Sequence, residues 1–309
     1  MAKALTLALS ALALFLAGSG WLALYPGLPR DLGGAPDLDG AAERVRIPVG
    51  EDDHLDGWLL RGERPGVIVL LHGYGRDHHH EWRYAQFLRR DGWTLLAVDF
   101  RSSRARQRKP TTLGFWELAD ARATLDWVER EGGLSGQRVA LFAESLGGSV
   151  AIALAAERPE VVAVAADSPF ATGAQAIADA CRFEAHVPAW PTAPLARALG
   201  RLVTGHDPGA FDATAALRAY GDRPLLLIQS GAQDRLGLGE VGDLERAAGR
   251  DAEVWRVPDA GHNRAWIVHT AEYERRVRAF FRAHLPAPGP PARIARPTRA
   301  RRPVREVAA

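Results

Sequence analysis

Cysteine is almost absent from this sequence: Cys181 is the only one among 309 residues. A lone cysteine excludes an intramolecular disulfide and any zinc or iron–sulfur centre built from cysteine ligands. The composition is otherwise that of a globular protein, with 47% hydrophobic and 25% charged residues, which excludes wholesale disorder. A chain of this length suffices for one or two domains with a full hydrophobic core.

An excess of one charge is also missing, since 39 Lys and Arg residues stand against 37 Asp and Glu residues. The distribution is uneven. From Pro286 onward the chain has six arginines and one glutamate, so this segment carries +5 and the remainder about −3. The main part of the chain lacks the basic footprint of a nucleic-acid-binding protein, and we expect no nucleic acid among its partners. Residues 286–309 are rich in proline and arginine, which predicts a disordered tail.

Charged residues are missing between Lys3 and Arg30. A positive residue followed by an apolar run and small residues is typical of a secretory signal peptide. The same run is long enough to span a bilayer, which takes about 20 residues. We therefore interpret residues 1–29 as either an uncleaved transmembrane anchor or a cleaved signal peptide. The positive end comes first, which favours a membrane-anchored or exported protein with its main domain on the exported side and the membrane as a partner.

The pattern after this segment is that of a single α/β domain. Residues 30–43 are rich in Gly, Pro and Asp and are predicted to be a linker, and residues 44–285 alternate short apolar runs with longer helical stretches. The predicted strands are Val45–Val49, Leu55–Leu60, Val67–Leu71, Leu95–Val98, Val139–Phe142, Val161–Ala166, Leu225–Ile228 and Glu253–Val257. The clearest predicted helices are Trp116–Glu131, Val150–Glu157 and His269–Leu285. Strands of this type, buried on both faces and alternating with helices, predict a doubly wound, mostly parallel sheet. The interval of about 169–222 has no clear strand and is predicted to be a helical lid inserted over the carboxyl edge of the sheet.

The most informative motif surrounds Ser145. The strand Val139–Phe142 runs through Ala143 into this serine, and Gly147 and Gly148 open the helix that follows. A strand, a sharp turn at a serine and a helix, with small residues on either side, form the nucleophile-elbow pattern, in which small residues let the backbones approach closely. The alternative is an ordinary surface serine at a helix start. The strand before Ser145 and the glycine pair after it favour the catalytic interpretation.

The partners of a nucleophilic serine are sought later in the chain, because the chain order in this elbow fold is serine, acid, histidine. His262 follows the last predicted strand and could act as the general base, with His269 as the less favoured candidate. Asp234, just after Leu225–Ile228, is the preferred acid, which would orient the imidazole. Asp167, at the end of the preceding strand, is the alternative.

Residues 77–81, of sequence Asp-His-His-His-Glu, look like a metal-binding tract. Consecutive residues on a helix point about 100° apart, so three adjacent histidines cannot all face one ion. We therefore expect no metal and interpret the tract as a polar loop and helix start at the rim of the active site.

These motifs together resemble the α/β-hydrolase superfamily over Val45–Leu285, in the style of the membrane-anchored or exported serine hydrolases termed serine aminopeptidase-like. The resemblance is carried by Glu144–Gly148, His72-Gly73, Asp167–Phe170 and Asp259–His262. It implies an α/β-hydrolase fold, with a mostly parallel central sheet flanked by helices and a helical lid insertion. It also implies an oxyanion hole made by the backbone N–H groups of Tyr74 and Leu146, with His72, Gly73, Gly147 and Gly148 supporting those turns, and no cofactor.

The function implied by the resemblance is serine-dependent hydrolysis of an ester, thioester or amide. The substrate would be a small acyl compound, a lipid or a peptide. One alternative is a peptidase of the acylaminoacyl or prolyl type, which would bind a peptide terminus through a charged lid residue such as Arg182 or Glu184. The other alternative is a catalytically silent binding protein on the same fold.

Overall fold

The computed structural model describes residues 24–25, 38, 41–103, 109–130, 133–231, 238–248 and 252–285. The strands in these ranges are β1 (Glu43–Val49), β2 (Asp53–Leu60), β3 (Val67–Leu71), β4 (Thr94–Val98), β5 (Val139–Glu144), β6 (Val161–Asp167), β7 (Leu225–Ser230) and β8 (Glu253–Val257). The helices are α1 (His78–Arg90), α2 (Phe115–Arg130), α3 (Leu146–Glu157), α4 (Gly173–Asp179), α5 (Ala189–Thr204), α6 (Ala213–Tyr220), α7 (Leu238–Ala248), α8 (Ala265–Val268) and α9 (Thr270–His284). The described residues also include a π turn at Ala180–Glu184 and a 3-10 turn at Pro208–Ala210.

All eight strands join one sheet in the order β1-β2-β4-β3-β5-β6-β7-β8. β1 and β2 pair antiparallel with each other, and β2 pairs antiparallel with β4. All other neighbours are parallel. The mostly parallel sheet is therefore confirmed, and each predicted strand lies within an observed one.

The central strands are buried on both faces because successive side chains of a strand point to opposite sides of the sheet. In β3, Val67, Val69 and Leu71 join a core that includes residues of α2, α3 and α6. Ile68 and Leu70 point the other way and join a core with residues of α1 and α9. Helices thus cover both faces, which explains why these strands lack polar alternation.

The interval between β6 and β7 contains helices and turns, as predicted. Its last helix, α6, buries Ala213 and Leu217 in the core that also holds α3, so α6 belongs to the layer that covers the sheet. The earlier helices α4 and α5 pack chiefly on each other and on the turns beside them. These two helices are the part of the interval that stands outside the sheet layers.

Leu24 is described although most of the chain before β1 is not. It is buried, and its carbonyl accepts a hydrogen bond of 2.8 Å from the Thr111 N–H. Its side chain lies beside α5, where a methyl group added at Gly200 would be 3.7 Å from Leu24 Cδ2. The predicted leader of residues 1–29, apart from residues 24 and 25, most of the linker and the tail from 286 lie outside the described residues and stay predictions. Within the described ranges, no helix is long and apolar enough to cross a membrane.

Candidate active site

Ser145 lies at the turn between β5 and α3, as the elbow pattern predicts. Its backbone angles are φ 50° and ψ −119°, a conformation that is costly for a residue with a side chain. The Ser145 N–H donates to the Asp167 carbonyl at 2.8 Å, and the Ser149 N–H donates to the Ser145 carbonyl at 3.1 Å. The sheet on one side and the helix on the other therefore hold this turn in its strained form.

Two glycines allow α3 to begin close to the neighbouring chain segments. A methyl group added at Gly147 would lie 2.2 Å from the Leu71 carbonyl oxygen and 2.7 Å from that of His72. One added at Gly148 would lie 3.2 Å from Pro169 Cβ. The first turn of α3 thus packs against the end of β3 at a distance that a side chain at position 147 would not permit.

The turn after β3 lies next to the serine. A methyl group added at Gly73 would be 3.2 Å from Ser145 Cβ. The N–H groups predicted to form the oxyanion hole belong to the residues directly after these two, Tyr74 and Leu146. Because the two turns pack against each other, Tyr74 and Leu146 lie on chain segments that are in contact.

His72 has a structural role in this arrangement. Its ring is buried, with Nδ1 at 2.9 Å from the Gly73 carbonyl and Nε2 accepting a hydrogen bond of 3.1 Å from the Phe100 N–H. Because Nε2 is an acceptor, Nδ1 carries the proton and donates to Gly73. His72 therefore fastens the turn after β3 to the end of β4.

His262 lies on the loop between β8 and α8, and its Nε2 is 3.0 Å from Ser145 Oγ. The loop turns sharply there: the Arg264 N–H donates to the Gly261 carbonyl at 2.8 Å, and Asn263 has a φ of 55°. The distance is that of a hydrogen bond between a hydroxyl donor and an imidazole acceptor. It meets the geometric requirement for a general base acting on the serine.

His269, the less favoured base, has a different partner. Its Nε2 is 2.9 Å from both carboxylate oxygens of Asp259, near the start of the loop that carries His262. This hydrogen bond lowers the pKa of the exposed Asp259 carboxyl below its usual value. The pair ties the loop to the residue before α9.

Of the two candidate catalytic acids, the structure describes only Asp167. Asp234 falls in residues 232–237, outside the described part of the chain. Asp167 is buried at the end of β6, where Oδ2 accepts a hydrogen bond of 2.8 Å from the Tyr273 hydroxyl and Oδ1 accepts one of 2.8 Å from the Ser168 hydroxyl. Both oxygens of Asp167 are thus engaged by groups other than His262.

A buried polar network lies directly behind the serine, and sequence reasoning missed it. Glu144, the residue before Ser145, is fully buried. Its Oε2 accepts a hydrogen bond of 2.9 Å from the Tyr84 hydroxyl, and its Oε1 is 2.6 Å from His80 Nε2. His80 Nδ1 in turn is 2.9 Å from Arg83 Nη2. A chain of contacts therefore runs from Arg83 on α1, through His80, to the residue before Ser145.

The protonation states of this chain follow from its donors. Arg83 can only donate, so the proton of the neutral His80 ring lies on Nε2, the nitrogen that faces Glu144. Burial lowers the pKa of His80 and keeps the ring neutral. Burial alone would raise the pKa of Glu144, but the hydrogen bonds from His80 and Tyr84 and the charge of Arg83 outweigh burial and lower this pKa below its usual value. Glu144 is therefore a carboxylate at neutral pH.

The negative charge of Glu144 also affects the pKa of two more buried acids, Glu81 and Asp167. Burial and the neighbouring Glu144 raise the pKa of Glu81 well above its usual value. The same two causes raise the pKa of Asp167 to about 7, although Tyr273 and Ser168 donate to it. Around neutral pH the region behind the serine thus contains the Glu144 carboxylate beside two acids, Glu81 and Asp167, that are wholly or partly protonated.

Residues 77–81 do begin a helix, α1, with Asp77 as its N-cap. Their interpretation as a polar rim of the site is wrong, because His78, His80 and Glu81 are buried. His78 Nδ1 lies 3.1 Å from Asp99 and its ring stacks on Trp58. A usable signal was present: an acid ends the otherwise apolar strand β5, and a buried acid requires polar partners. The tract of α1 supplies them.

The sequence predicts that the three histidines of this tract do not all face one ion. The structure brings together three neighbouring groups, Asp77, His78 and His79, whose ligand atoms lie within 4.8 Å of one another. His79 Nδ1 is 3.3 Å from Asp77 Oδ1, while His80 points instead to Glu144. The three histidines therefore do not face one point, as the 100° rotation per residue requires.

Two charged residues of the interval between β6 and β7 are the candidates for binding a peptide terminus. Arg182 is exposed and pairs with Asp179 at 3.2 Å. The side chain of Glu184 lies outside the described part of the structure.

Comparison with known proteins gives a consistent result. The sequence model of the alpha/beta hydrolase family matches residues 68–283. The uncharacterized protein Rv2307c of Mycobacterium tuberculosis is 30% identical over 227 residues, which are 72% of this chain and 73% of that protein. The uncharacterized protein YfhR of Escherichia coli is 24% identical over 140 residues, 43% of this chain and 49% of that protein.

Among solved structures, the esterase Pf2001 of Pyrococcus furiosus is 25% identical, with a TM-score of 0.67, over 83% of this chain and 98% of that chain. The acylaminoacyl peptidase of Pyrococcus horikoshii is 16% identical, with a TM-score of 0.61, over 80% of this chain and 42% of that chain, which is a likeness of fold alone. The family match extends from β3 to α9 and agrees with the sheet order and the strained serine turn. This chain therefore belongs to the alpha/beta hydrolase family.

Proposed function

We propose that this protein is a serine hydrolase that cleaves a carboxylic ester, thioester or amide through an acyl-enzyme on Ser145. The observation that carries the proposal is the 3.0 Å contact between Ser145 Oγ and His262 Nε2 at a strained turn. A serine hydroxyl is a weak nucleophile unless a base takes its proton, and this contact supplies the base. A binding protein would have no need for a strained serine beside an imidazole.

In the first half of the reaction, His262 Nε2 accepts the Ser145 proton as Oγ attacks the substrate carbonyl carbon. The carbonyl oxygen becomes an oxyanion, which the N–H groups of Tyr74 and Leu146 bind. Leu146 is the first residue of α3, so the positive end of the helix also faces this charge. His262 then donates its proton to the leaving group, the tetrahedral intermediate collapses, and the acyl group remains on Ser145.

In the second half, water attacks the acyl-enzyme. His262 again acts as base and takes a proton from the water as its oxygen bonds to the carbonyl carbon. Collapse of the second tetrahedral intermediate releases the carboxylic acid and returns the proton to Ser145 Oγ. Asp234 orients His262 and stabilises its cation in both halves without accepting the proton.

An ester is the favoured substrate because the Pyrococcus furiosus esterase is similar to this chain over 83% of its length at 25% identity. The likeness to an acylaminoacyl peptidase is one of fold alone. We therefore rank esters and thioesters ahead of peptides.

The test measures hydrolysis of p-nitrophenyl esters of increasing acyl length, from acetate to palmitate, by the parent protein and its Ser145→Ala variant. We expect the variant to lose a factor of about 10⁴ or more in kcat. A fluorophosphonate probe should label the parent and not the variant. Ser135→Ala, at an exposed serine, is the matched control and should keep full activity. Equal rates in parent and Ser145→Ala would overturn the proposal. Selective cleavage of N-acylated peptides would instead identify the protein as an acylaminoacyl-type peptidase.

We also propose that the uncharged segment between Lys3 and Arg30 tethers the hydrolase domain to a membrane, with the domain on the exported side. The support is the length of this segment without charge and the requirement of about 20 residues for a membrane span. Alkaline carbonate extraction of membranes from expressing cells should leave the full chain in the pellet. Release of a shortened chain into the soluble fraction would instead identify a cleaved signal peptide.

A further inference from the structure

The inserted helix α5 exposes an apolar side. Its buried residues Ala193, Gly200 and Thr204 recur at spacings of seven and four, so they share the inner side of the helix. The side opposite to them is formed by residues that recur at three, four and seven and are all apolar: Leu195, Ala198, Leu199 and Leu202. A helix on the surface of a soluble protein normally places charged and polar residues on this outer side.

The exposure of these side chains is large. Leu202 is 83% exposed and Leu195 is 46% exposed. Trp190, at the start of α5, is 80% exposed, and Phe183, in the π turn before it, is 49% exposed. These four side chains and Val203, which all lie within residues 183–203, are together called the apolar lid face. They are five of the nine large hydrophobic side chains that are exposed in the described residues, so the exposed apolar surface is concentrated on this insertion. Concentrated patches of this kind mark interaction sites.

Phe183 is followed by Glu184, but the helix α5, which carries the other four side chains, has charge of one sign. Residues 185–206 include Arg197 and Arg201 and no acidic residue. Arg197 pairs with Asp207 at 2.6 Å, while Arg201 is exposed on the flank of the helix. Apolar side chains with an aromatic residue, flanked by arginine and without acids, are the composition of helices that lie in the interfacial layer of a membrane.

The chain before β1 reaches this same helix. Leu24 packs beside Gly200 of α5, and residues 4–23 contain no charged residue. Gly200 is on the inner side of α5, so the uncharged segment joins the described part of the protein beneath this helix, on the side opposite to Leu195 and Leu202. A lipid surface suits both features, since one is apolar and uncharged and the other is apolar and flanked by arginine.

We propose that the apolar lid face lies in the interfacial layer of a phospholipid bilayer, with Trp190, Leu195 and Leu202 among the acyl chains and Arg201 among anionic headgroups. The interval that carries α4 and α5 begins after β6, at the same edge of the sheet as Ser145. Docking of this face would therefore bring the site toward the bilayer. Under the proposed function, a lipid-borne acyl chain could then reach Ser145 without crossing bulk water. The binding itself does not depend on hydrolysis.

The lone cysteine makes the test direct. In the full chain with Cys181→Ala, a polarity-sensitive fluorophore is attached at Leu202→Cys, and the protein is reconstituted into vesicles of phosphatidylcholine and phosphatidylglycerol. Lipids that carry a quencher in their acyl chains report contact with the bilayer. Glu157→Cys is the matched control, because this exposed residue ends α3 at the opposite edge of the sheet. A third label, at Ser10→Cys, reports whether the uncharged segment is inserted.

We expect acyl-chain quenching and a blue-shifted emission at position 202 and neither at position 157. Absence of quenching at 202 would overturn the inference, whether or not position 10 is quenched. A blue shift at 202 that appears without lipid and grows with protein concentration would also overturn it, because a second copy of the chain would then cover the face. Quenching at 202 without quenching at 10 would support docking of the apolar lid face and would contradict the proposed insertion of the uncharged segment in the membrane.

A pair of charged variants completes the test. Leu195→Glu combined with Leu202→Glu replaces exposed side chains, so the fold should be kept. The rate with a soluble acetate ester should be unchanged, while the rate with a long-chain ester presented in vesicles should fall by about tenfold or more. Equal losses with both substrates would contradict an interfacial role for the apolar lid face. If the parent hydrolyses neither ester, the proposed function fails while the quenching experiment still decides the docking.

Discussion

The hydroxyl of Tyr84, on α1, donates a hydrogen bond of 2.9 Å to Glu144, the residue that directly precedes Ser145. The same carboxylate lies 2.6 Å from His80, which contacts Arg83. Contacts with α1 therefore fix Glu144, and backbone hydrogen bonds with β6 and α3 fix the next residue, Ser145. The strained turn is therefore fixed from behind by a buried charge as well as by backbone hydrogen bonds.

Glu144→Gln should therefore lower kcat with little change in KM. The amide keeps the shape but loses the charge that binds the Arg83–His80 pair, and a small displacement of the serine is expected to reduce kcat by about 10- to 100-fold. Steady-state kinetics with a p-nitrophenyl ester and the rate of fluorophosphonate labelling check this. Glu129→Gln, at an exposed position, is the control. A Glu144→Gln protein with unaltered kcat would show that the buried network is structural only.

The two glycines that open α3 should respond differently to alanine. Gly147→Ala would force a methyl carbon to within 2.2 Å of a backbone oxygen, whereas the atom nearest to the methyl carbon of Gly148→Ala would be Pro169 Cβ at 3.2 Å. We expect Gly147→Ala to destabilise the fold by about 3 kcal/mol and to abolish most activity, because overpacking of this size displaces the turn after β3. Gly148→Ala should cost less than about 1 kcal/mol. Thermal unfolding and esterase activity of the two variants check the order, and a reversed order would contradict the packing.

The sheet could be predicted from the sequence because its strands are buried on both faces and therefore form uninterrupted apolar runs, such as Val67–Leu71. The serine turn could be predicted because its local pattern requires small residues on either side. The order of strands could not, because the placement of β3 between β4 and β5 depends on crossovers that local patterns do not encode.

The network behind Ser145 was missed for a related reason. Polar side chains in residues 77–84 suggest a solvent-exposed helix start, and only the pairing of α1 with the end of β5 shows that they solvate Glu144. The apolar side of α5 was missed as well, since Leu195 and Leu202 fit the pattern of a core helix equally well. Periodicity identifies the apolar side of a helix but does not say whether protein covers it.

Asp167→Asn should change how stability depends on pH. The pKa of Asp167 is raised to about 7 in the folded protein, against about 3.9 in the unfolded chain. Between these values the folded state holds a proton that the unfolded state has released, so stability falls as the pH rises from about 4 to 7 and is flat above. The asparagine variant removes this loss, and we expect its free energy of unfolding at pH 8 to exceed that of the parent.

Urea unfolding at pH 5 and pH 8 measures the effect. Asp167→Asn should reduce the slope of the free energy of unfolding against pH by up to about 1.4 kcal/mol per pH unit. Part of the fall with pH should persist in the variant, because the raised pKa of Glu81 has the same sign. Asp222→Asn, at an exposed residue, is the control and should leave the slope unchanged. An unchanged slope in Asp167→Asn would place the pKa of this carboxyl near its ordinary value.

The identity of the catalytic acid is decided by comparing Asp234→Asn with Asp167→Asn. Asp167 has both oxygens engaged by Tyr273 and Ser168, so its loss should leave kcat within tenfold of the parent at pH 8. Loss of the residue that orients His262 leaves the imidazole in the wrong tautomer and costs about 10⁴ in kcat. We expect that loss for Asp234→Asn, with Ser145 still labelled by the fluorophosphonate, only more slowly. If Asp167→Asn has the larger loss, the acid comes from the end of β6, and the hydrogen bonds that now engage it must rearrange during the reaction.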